Sequence, residues 1–243
     1  MRFRRRGLPD DAEALIEREL AHWRSLDDGE RARLVELTDW LLRRKHWEAS
    51  GGFQIDDTIR IAIAAQASLL ILGLTPDHYR LVSSIIVYPS SLVSTGERAG
   101  PAGTRTDEPQ AIHGLAQDRR GPILIAWDQA HASARHPARG HNVVIHEFAH
   151  KIDMLDGLVD GTPPIGRDAA RPWVCVCTEV FQSLQHGMPR PPLRLYGGTN
   201  PGEFFAVATE AFFDRAAELA ANEPALYGVL ADFYRQDPAA RRG

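Results

Sequence analysis

The chain has 243 residues, of which 44% are hydrophobic and 25% are charged, a composition typical of a globular protein that buries a core. This composition excludes a chain that is disordered throughout, collagen-like or of low complexity. The formal net charge is -4, from 28 basic and 32 acidic residues, which gives no electrostatic reason to expect direct binding to nucleic acid.

The cysteines and the apolar runs indicate a cytoplasmic protein with no membrane partner. Cys175 and Cys177 are the only cysteines, and they are too close in sequence for an unstrained disulfide, which favours a reducing compartment. The arginine-rich residues 1–6 are not followed by the apolar stretch of a signal peptide. The most apolar run, 59–74, contains polar residues and is shorter than the about 20 residues that cross a bilayer, so we expect a buried core helix there.

Apolar residues at three- and four-residue spacing predict helices along most of the chain. In the first half these are 10–24, 28–47 and 58–72. Two β-rich runs, 84–88 and 122–127, predict strands that pair in a small sheet. The segment between them, 94–121, is rich in Gly, Pro and Thr and is compatible with a long loop or an irregular hairpin. In the second half the predicted helices are 142–155, 171–185, 201–219 and 224–234.

These elements predict an α+β fold. No repeat or linker divides the sequence, so we expect one domain over residues 1–243. We expect its N-terminal part, about 10–75, to be helical, and its C-terminal part, about 80–236, to be a catalytic α+β unit.

The string His146-Glu-Phe-Ala-His150 carries the chemistry. On a helix, residues i and i+4 lie on the same face, so both imidazoles can reach one ion, and Glu147 can act on water beside that ion without being a ligand. This is the zincin arrangement, and it predicts a mostly helical α+β protein with a small β-sheet beside the motif helix. The alternative is a pair of histidines satisfied by hydrogen bonds in a helical core.

A catalytic zinc site takes three protein ligands and leaves one position open. His131, His136 and His141 lie in a Gly/Pro/Arg-rich segment that we expect to be a solvent-exposed loop rather than a source of ligands. Glu203 and Glu210 lie in an otherwise apolar predicted helix, where a carboxylate is costly unless it is paired with a cation or a metal. The residues predict that one of these two is the third ligand, and they leave the choice open because a helix N-terminus can also stabilise Glu203.

Three further features are candidates for roles around the metal. Tyr196 precedes the helix of Glu203 and offers a hydroxyl donor for the oxyanion formed in peptide hydrolysis, although a tyrosine that only covers the core is an equal alternative. Asp153, one turn after His150, is placed to hydrogen-bond a ligand imidazole or to form a surface salt bridge. The strand that ends at Trp127 offers an edge to an extended substrate.

With these motifs the chain resembles the zinc-dependent peptidases of the Mlc titration factor A (MtfA) family, whose catalytic core is related to that of anthrax lethal factor. The resemblance extends over 63–66, 86–89, 127–128, 142–153, 201–213 and 233–237. It implies that His146, His150 and Glu203 bind one Zn²⁺, that Glu147 is the general base and that Tyr196 stabilises the transition state.

The resemblance also implies the function of the chain. It implies a cytoplasmic gluzincin, a metalloprotease with aminopeptidase-like activity on a peptide or protein substrate. The alternative is an anti-repressor that sequesters an Mlc-like transcriptional regulator of sugar uptake, with the zinc site secondary. A purely structural zinc is disfavoured because only three protein ligands are evident. The segments 95–120 and 135–141 depart from the family's pattern. We expect the first to change the details that face the substrate, and the second, which lies just before the motif helix, to alter access to the site.

Overall fold

The computed structural model describes residues 7–50, 52–90 and 121–241, and the backbone alone of 98–99 and 105–106. Its first helices are α1 (Ala12–Glu19), α2 (Asp28–Arg44) and α3 (Asp57–Leu70). Asp56 caps α3 by accepting a hydrogen bond from the backbone N–H of Ile59. Because α1, α2 and two later helices pack against α3, it is buried on almost every side, which accounts for its nearly continuous apolar sequence.

A parallel sheet of three strands adjoins these helices. Its strands are β1 (His46–Ala49), β2 (Ser84–Tyr88) and β5 (Ile123–Ala126), in the spatial order β1-β2-β5. The predicted pairing of the two β-rich runs is therefore confirmed. The backbone of β3 (Arg98–Ala99) and β4 (Arg105–Thr106) forms a separate antiparallel pair, and the rest of the segment predicted as a loop or hairpin over 94–121 lies outside the described residues, except Gly121.

The second half of the chain is helical. Its helices are α4 (Trp127–Arg135), α5 (Val143–Asp153), α6 (Arg167–Gln185), α7 (Pro201–Asp214), α8 (Ala216–Asn222) and α9 (Pro224–Tyr234). Helix α5 packs against α7 on one side and contacts α3 and β5 on others. The fold is thus α+β and mostly helical, with the small sheet beside the helix that carries the two motif histidines, as predicted.

Helix α5 and helix α7 begin at residues that fix their position. Asn142 caps α5 by accepting from the N–H of Ile145, and Asn200 caps α7 by accepting from the N–H of Glu203. Pro201 occupies the first turn of α7, where its missing N–H costs nothing. These caps set where each helix starts, and therefore which residues of each helix face the other.

Several predicted boundaries are wrong, because packing outweighs local pattern. The helix predicted over 10–24 ends at Glu19, since Leu20 has an extended backbone, and the helix predicted over 171–185 begins earlier, at Arg167. The helix predicted over 28–47 ends at Arg44, since Trp47 is buried as part of β1. The helix predicted over 201–219 breaks at Arg215, whose φ of -134° is not helical. The strand predicted over 122–127 ends before Trp127, which starts α4 in a segment that was expected to be a loop.

Two predictions from the general sequence features can be compared with the structure. Cys175 and Cys177 are both free, as their spacing requires. In the described part of the chain, no helix combines the length and the hydrophobicity needed to span a membrane.

Candidate metal centre

The three side chains predicted as metal ligands converge between α5 and α7. The Nε2 atom of His146 lies 3.1 Å from Nε2 of His150 and 3.1 Å from Oε2 of Glu203, and Nε2 of His150 lies 3.6 Å from the same oxygen. Ligand atoms that bind a tetrahedral ion at about 2.0–2.1 Å lie about 3.3 Å from one another. Among the described residues, no other three His, Cys, Asp or Glu side chains bring ligand atoms together in this way.

The electrostatics of this cluster call for a positive charge at its centre. Burial opposes a charge on His146, but the contacts with Glu203 and Glu210 outweigh burial and raise the pKa of His146 to about 10. Burial likewise opposes the Glu203 carboxylate, yet His146 and His150 hold its pKa well below the usual range. A proton or a divalent cation supplies the charge, and metal binding replaces the proton. The donor set of two imidazoles and one carboxylate therefore fits a metal ion.

Glu210 is the partner of the first ligand imidazole. It is completely buried, and its Oε1 accepts a 2.6 Å hydrogen bond from Nδ1 of His146. The same oxygen accepts from Nη2 of Arg194 at 2.7 Å, and Oε2 accepts from the backbone N–H of Asn142 at 2.8 Å. A histidine that donates from Nδ1 presents the lone pair of Nε2 to the ligand cluster. The contacts therefore favour Glu203 as the ligand and Glu210 as the residue that orients His146.

Local sequence presents Glu210 as an alternative ligand and gives no indication of this hydrogen bond. The sequence does indicate that Glu210 needs partners, because a carboxylate in an apolar helix is costly unless cations or N–H groups contact it. The identity of those partners depends on the packing of α7 against α5 and on the segment that contains Arg194, and neither is visible in local sequence.

Glu147 and Tyr196 both lie beside the cluster. Glu147 is buried, and its charge is close enough to contribute to the raised pKa of both His146 and Tyr196. The Tyr196 ring is centred 6.3 Å from the His146 ring and is 40% exposed, which disagrees with the alternative of a tyrosine that only covers the core. Burial, followed by the nearby Glu203 carboxylate, raises the pKa of Tyr196 to about 12, so its hydroxyl remains a donor at neutral pH.

Arg194 connects the tyrosine segment to the ligand helix. Its guanidinium carbon lies 5.9 Å from the centre of the Tyr196 ring, within the range of a cation–π contact, while Nη2 donates to Glu210. One side chain thus contacts both the ring of Tyr196 and the carboxylate that orients His146.

Asp153 makes neither of the two contacts predicted for it. Its side chain is completely buried, which excludes a surface salt bridge, and its Oδ2 accepts from the backbone N–H of Gly161 at 3.2 Å. Burial, with smaller contributions from Asp160 and Asp156, raises the pKa of Asp153 to about 7. Asp153 therefore holds the loop that follows α5 instead of a ligand imidazole.

We expect Asp153→Asn to change how the stability of the metal-free protein depends on pH. The folded-state pKa of about 7 lies above the ordinary value of 3.8, so the folded protein binds the proton more tightly, and this contribution to stability is lost as the pH rises toward 7. Asparagine has no such ionisation and keeps an acceptor for Gly161. Between pH 5 and pH 8, the free energy of unfolding measured in urea should fall by about 2 kcal/mol more for the wild type than for Asp153→Asn. Equal losses would contradict the assignment.

Among the described residues, none of the three upstream histidines belongs to the convergent group of possible metal ligands. His131 lies on α4 instead of in a loop; it is half-buried, and its Nε2 lies 3.1 Å from Oε2 of Glu19. His136 and His141 are exposed, as expected.

Comparison with known proteins gives the family. The sequence model of the glucose-regulated metallo-peptidase M90 family matches residues 1–235. An uncharacterized protein of Synechocystis, slr2042, is 34% identical over 240 residues, covering 96% of this chain and 86% of the relative. Mlc titration factor A of Serratia proteamaculans is 31% identical, covering 89% and 84%, and that of Yersinia pestis is 28% identical, covering 89% and 81%. The chain therefore belongs to the glucose-regulated metallo-peptidase M90 family, a family of metal-dependent peptidases.

Proposed function

We propose that this chain is a zinc-dependent peptidase of the gluzincin type, located in the cytoplasm, with aminopeptidase-like activity on peptide or protein substrates. The observation that carries the proposal is the convergence of the His146, His150 and Glu203 ligand atoms. The charge of the buried Glu147 acts on both His146 and Tyr196, which supports its role at this site. Two imidazoles and one carboxylate form a donor set that zinc accepts, and three protein ligands leave a position open for reaction. We expect one Zn²⁺ per chain.

The mechanism assigns a separate task to each residue around these ligands. The chemistry that zinc supplies when bound is acidification of water, from a pKa of about 15.7 to about 7, and polarisation of a carbonyl oxygen. Glu147 accepts a proton from the attacking water and delivers it to the leaving amine. The Tyr196 hydroxyl donates to the oxyanion that forms on the peptide carbonyl. Glu210 keeps the His146 ring in the orientation that presents Nε2.

An extended substrate has a backbone partner available at β5. In the described part of the sheet, β5 pairs with β2 on one side and has no strand on the other. Helix α5 contacts β5, so this strand lies next to the helix that carries the two motif histidines. A peptide added at the edge as a further strand would gain main-chain hydrogen bonds and run past the ligand cluster.

Removal and replacement of the metal test this proposal. The chain is stripped with a chelator, reloaded with one equivalent of Zn²⁺, and incubated with a peptide library that is read by mass spectrometry. We expect no cleavage without metal, and cleavage with close to one zinc per chain. Cleavage that survives metal removal, or a fully loaded chain that cleaves nothing, would contradict the proposal. Circular dichroism is recorded throughout, because unfolding on metal removal would indicate a structural zinc instead.

We expect Tyr196→Phe to slow turnover without loss of zinc. The substitution removes one hydroxyl donor to the oxyanion, a change that costs about 10²–10³ in kcat in comparable sites. Zinc affinity should not change, because Tyr196 is outside the ligand set. Tyr88→Phe, on strand β2, is the matched control and should retain wild-type kcat. A Tyr196→Phe variant with unaltered kcat would remove the tyrosine from the mechanism.

The second candidate function is that of a binding protein, an anti-repressor that sequesters a transcriptional regulator of sugar uptake. The name Mlc titration factor A, carried by two of the relatives, favours it. In a pull-down with an Mlc-type repressor, capture by both the wild type and Glu147→Gln, with no peptide cleaved by either, would support this candidate over the peptidase. Cleavage by the wild type together with failure to capture the repressor would support the peptidase.

A further inference from the structure

Several exposed apolar side chains lie on the two segments that adjoin the metal centre. The large hydrophobic side chains with high exposure in the described part of the chain are Leu158, Val159, Val174, Met188, Leu195 and Tyr196. Tyr196 belongs to the site already described, and three of the others lie on the two segments that border it. We call Leu158, Val159 and Leu195 the apolar rim; they are 58%, 51% and 53% exposed. Isolated exposed hydrophobic residues need no explanation, but a group of them beside a catalytic cluster does.

Leu158 and Val159 lie on a loop, residues 157–161, that packs on the first turn of α7. A Cβ built on Gly202 would lie 3.0 Å from Cγ1 of Val159, and Gly202 immediately precedes the ligand Glu203. A Cβ built on Gly161 would lie 2.3 Å from the carbonyl oxygen of Pro201. The backbone at the end of the loop therefore lies directly against the backbone of α7. The loop thus packs against the turn of α7 that carries Glu203.

Leu195 borders the cluster from another segment. It directly precedes Tyr196, whose ring is centred 6.3 Å from the ring of His146. The short helical turn Leu195–Gly198 that carries both residues is held against α6, because a Cβ on Gly198 would lie only 2.6 Å from the backbone carbon of Leu184. The apolar rim thus has one part beside Glu203 and another beside Tyr196.

The loop over 157–161 is fixed by hydrogen bonds to buried groups. The N–H of Gly161 donates to the buried Asp153 at 3.2 Å, and the carbonyl oxygen of Gly161 accepts from Nε1 of the buried Trp173 at 3.2 Å. The N–H of Leu158 donates to Oδ1 of Asp156 at 3.0 Å. A loop held in this way presents its side chains in one arrangement, so peptide binding would carry little entropic cost for ordering the loop.

We propose that the apolar rim forms subsites that select peptides with bulky apolar side chains next to the scissile bond. The inference rests on the proposed peptidase function and adds the class of substrate. Leu158, Val159 and Leu195 would bury their exposed surface against such side chains, which is favourable in proportion to the apolar area removed from water. Asp156 and Asp160, on either side of Leu158 and Val159, disfavour acidic side chains by like-charge repulsion.

Peptide binding tests this inference separately from catalysis. Zinc-loaded Glu147→Gln protein is titrated with seven-residue peptides that carry fluorescein at the C-terminus and differ only at the first two positions, Leu-Leu, Ser-Ser or Glu-Glu, which flank the bond that an aminopeptidase-like enzyme cleaves. Fluorescence anisotropy gives Kd. We expect the Leu-Leu peptide to bind at least tenfold more tightly than the Ser-Ser peptide, and the Glu-Glu peptide to bind most weakly.

Substitutions in the rim identify the residues responsible. Val159→Asp and Leu195→Ser, each in the same background, should reduce the preference for Leu-Leu by about tenfold while zinc content stays the same. Val174→Asp is the matched control, since Val174 is 52% exposed on α6, which contributes no ligand, and the preference should survive there. Equal binding of all three peptides, absence of binding, or equal losses in Val159→Asp and Val174→Asp would overturn the inference.

The unlabelled peptides are also given to the zinc-loaded wild type, so that the two proposals fail in different ways. A preference for Leu-Leu in binding without any cleavage would support the apolar rim and contradict the peptidase. Cleavage of all three peptides at equal rates would support the peptidase and contradict the apolar rim.

Discussion

Replacing Glu147 by glutamine should abolish detectable peptide hydrolysis while the chain still binds zinc. Glutamine has nearly the size and shape of glutamate but cannot accept a proton from water at neutral pH. General-base catalysis contributes about 10²–10⁴ to the rate, so we expect kcat to fall toward the upper end of that range. Because Glu147 is outside the group of three convergent ligands, the metal should be retained.

The measurement pairs metal content with single-peptide kinetics on the same preparation. Glu13→Gln, at an exposed position on α1, is the control for the chemical change and should behave as the wild type in both assays. Hydrolysis by Glu147→Gln at the wild-type rate would show that another group is the base. Loss of zinc from this variant would show that Glu147 supports the ligands, and the loss of activity would then say nothing about proton transfer.

The part of the site that follows from helical periodicity could be predicted from sequence. The four-residue spacing of His146 and His150 requires only that α5 be a helix, and the cap at Asn142 and the apolar residues of α5 ensure that it is. Pro201 and Asn200 in the same way mark the start of α7 and place Glu203 in its first turn. Local signals therefore define each helix that carries a proposed ligand.

The contacts that join these helices could not be predicted in the same way. Glu210 and His146 are 64 residues apart in sequence, and their hydrogen bond depends on how α7 packs on α5. Helical spacing predicts that Asp153 lies near an imidazole. Its actual partner is the backbone N–H of Gly161, because the loop after α5 folds back over the end of that helix. In both cases the sequence shows a buried carboxylate that needs a partner, and only the tertiary structure shows which partner it has.

The errors in the fold have a related cause. Residues up to Trp47 continue the apolar spacing of α2, yet Trp47 pairs in register with Ile85 of β2 and is buried there. Sheet pairing between segments nearly forty residues apart outweighs a helix propensity that differs among ordinary residues by less than about 1 kcal/mol. Helix α4 was missed for the opposite reason, since the Gly and Pro residues that follow it suggested a loop throughout.

Glutamine substitutions at Glu203 and Glu210 should separate a metal ligand from a residue that orients one. Structural zinc binding is worth about 10–16 kcal/mol shared among its ligands, so loss of the Glu203 carboxylate should cost about 3 kcal/mol, or at least 10² in zinc affinity. Glu210→Gln acts on the orientation of His146, a change that typically costs about 10–100-fold. On this ground we expect the Glu203→Gln chain to bind zinc more weakly than the Glu210→Gln chain.

The stability of the metal-free proteins makes the distinction independent of affinity. Glu210 accepts hydrogen bonds from His146, Arg194 and the backbone of Asn142, and a glutamine has one acceptor oxygen instead of two. At least one buried donor is then left unsatisfied, at a cost of about 1–3 kcal/mol in the free energy of unfolding. Glu203→Gln removes no acceptor from an arginine or from the backbone N–H of Asn142, and it acts instead on the contacts with His146 and His150. Zinc affinity is measured by competition with a chromophoric chelator, and stability by urea unfolding. If Glu210→Gln lost the metal more completely than Glu203→Gln and kept its stability, the two carboxylates would have to exchange roles.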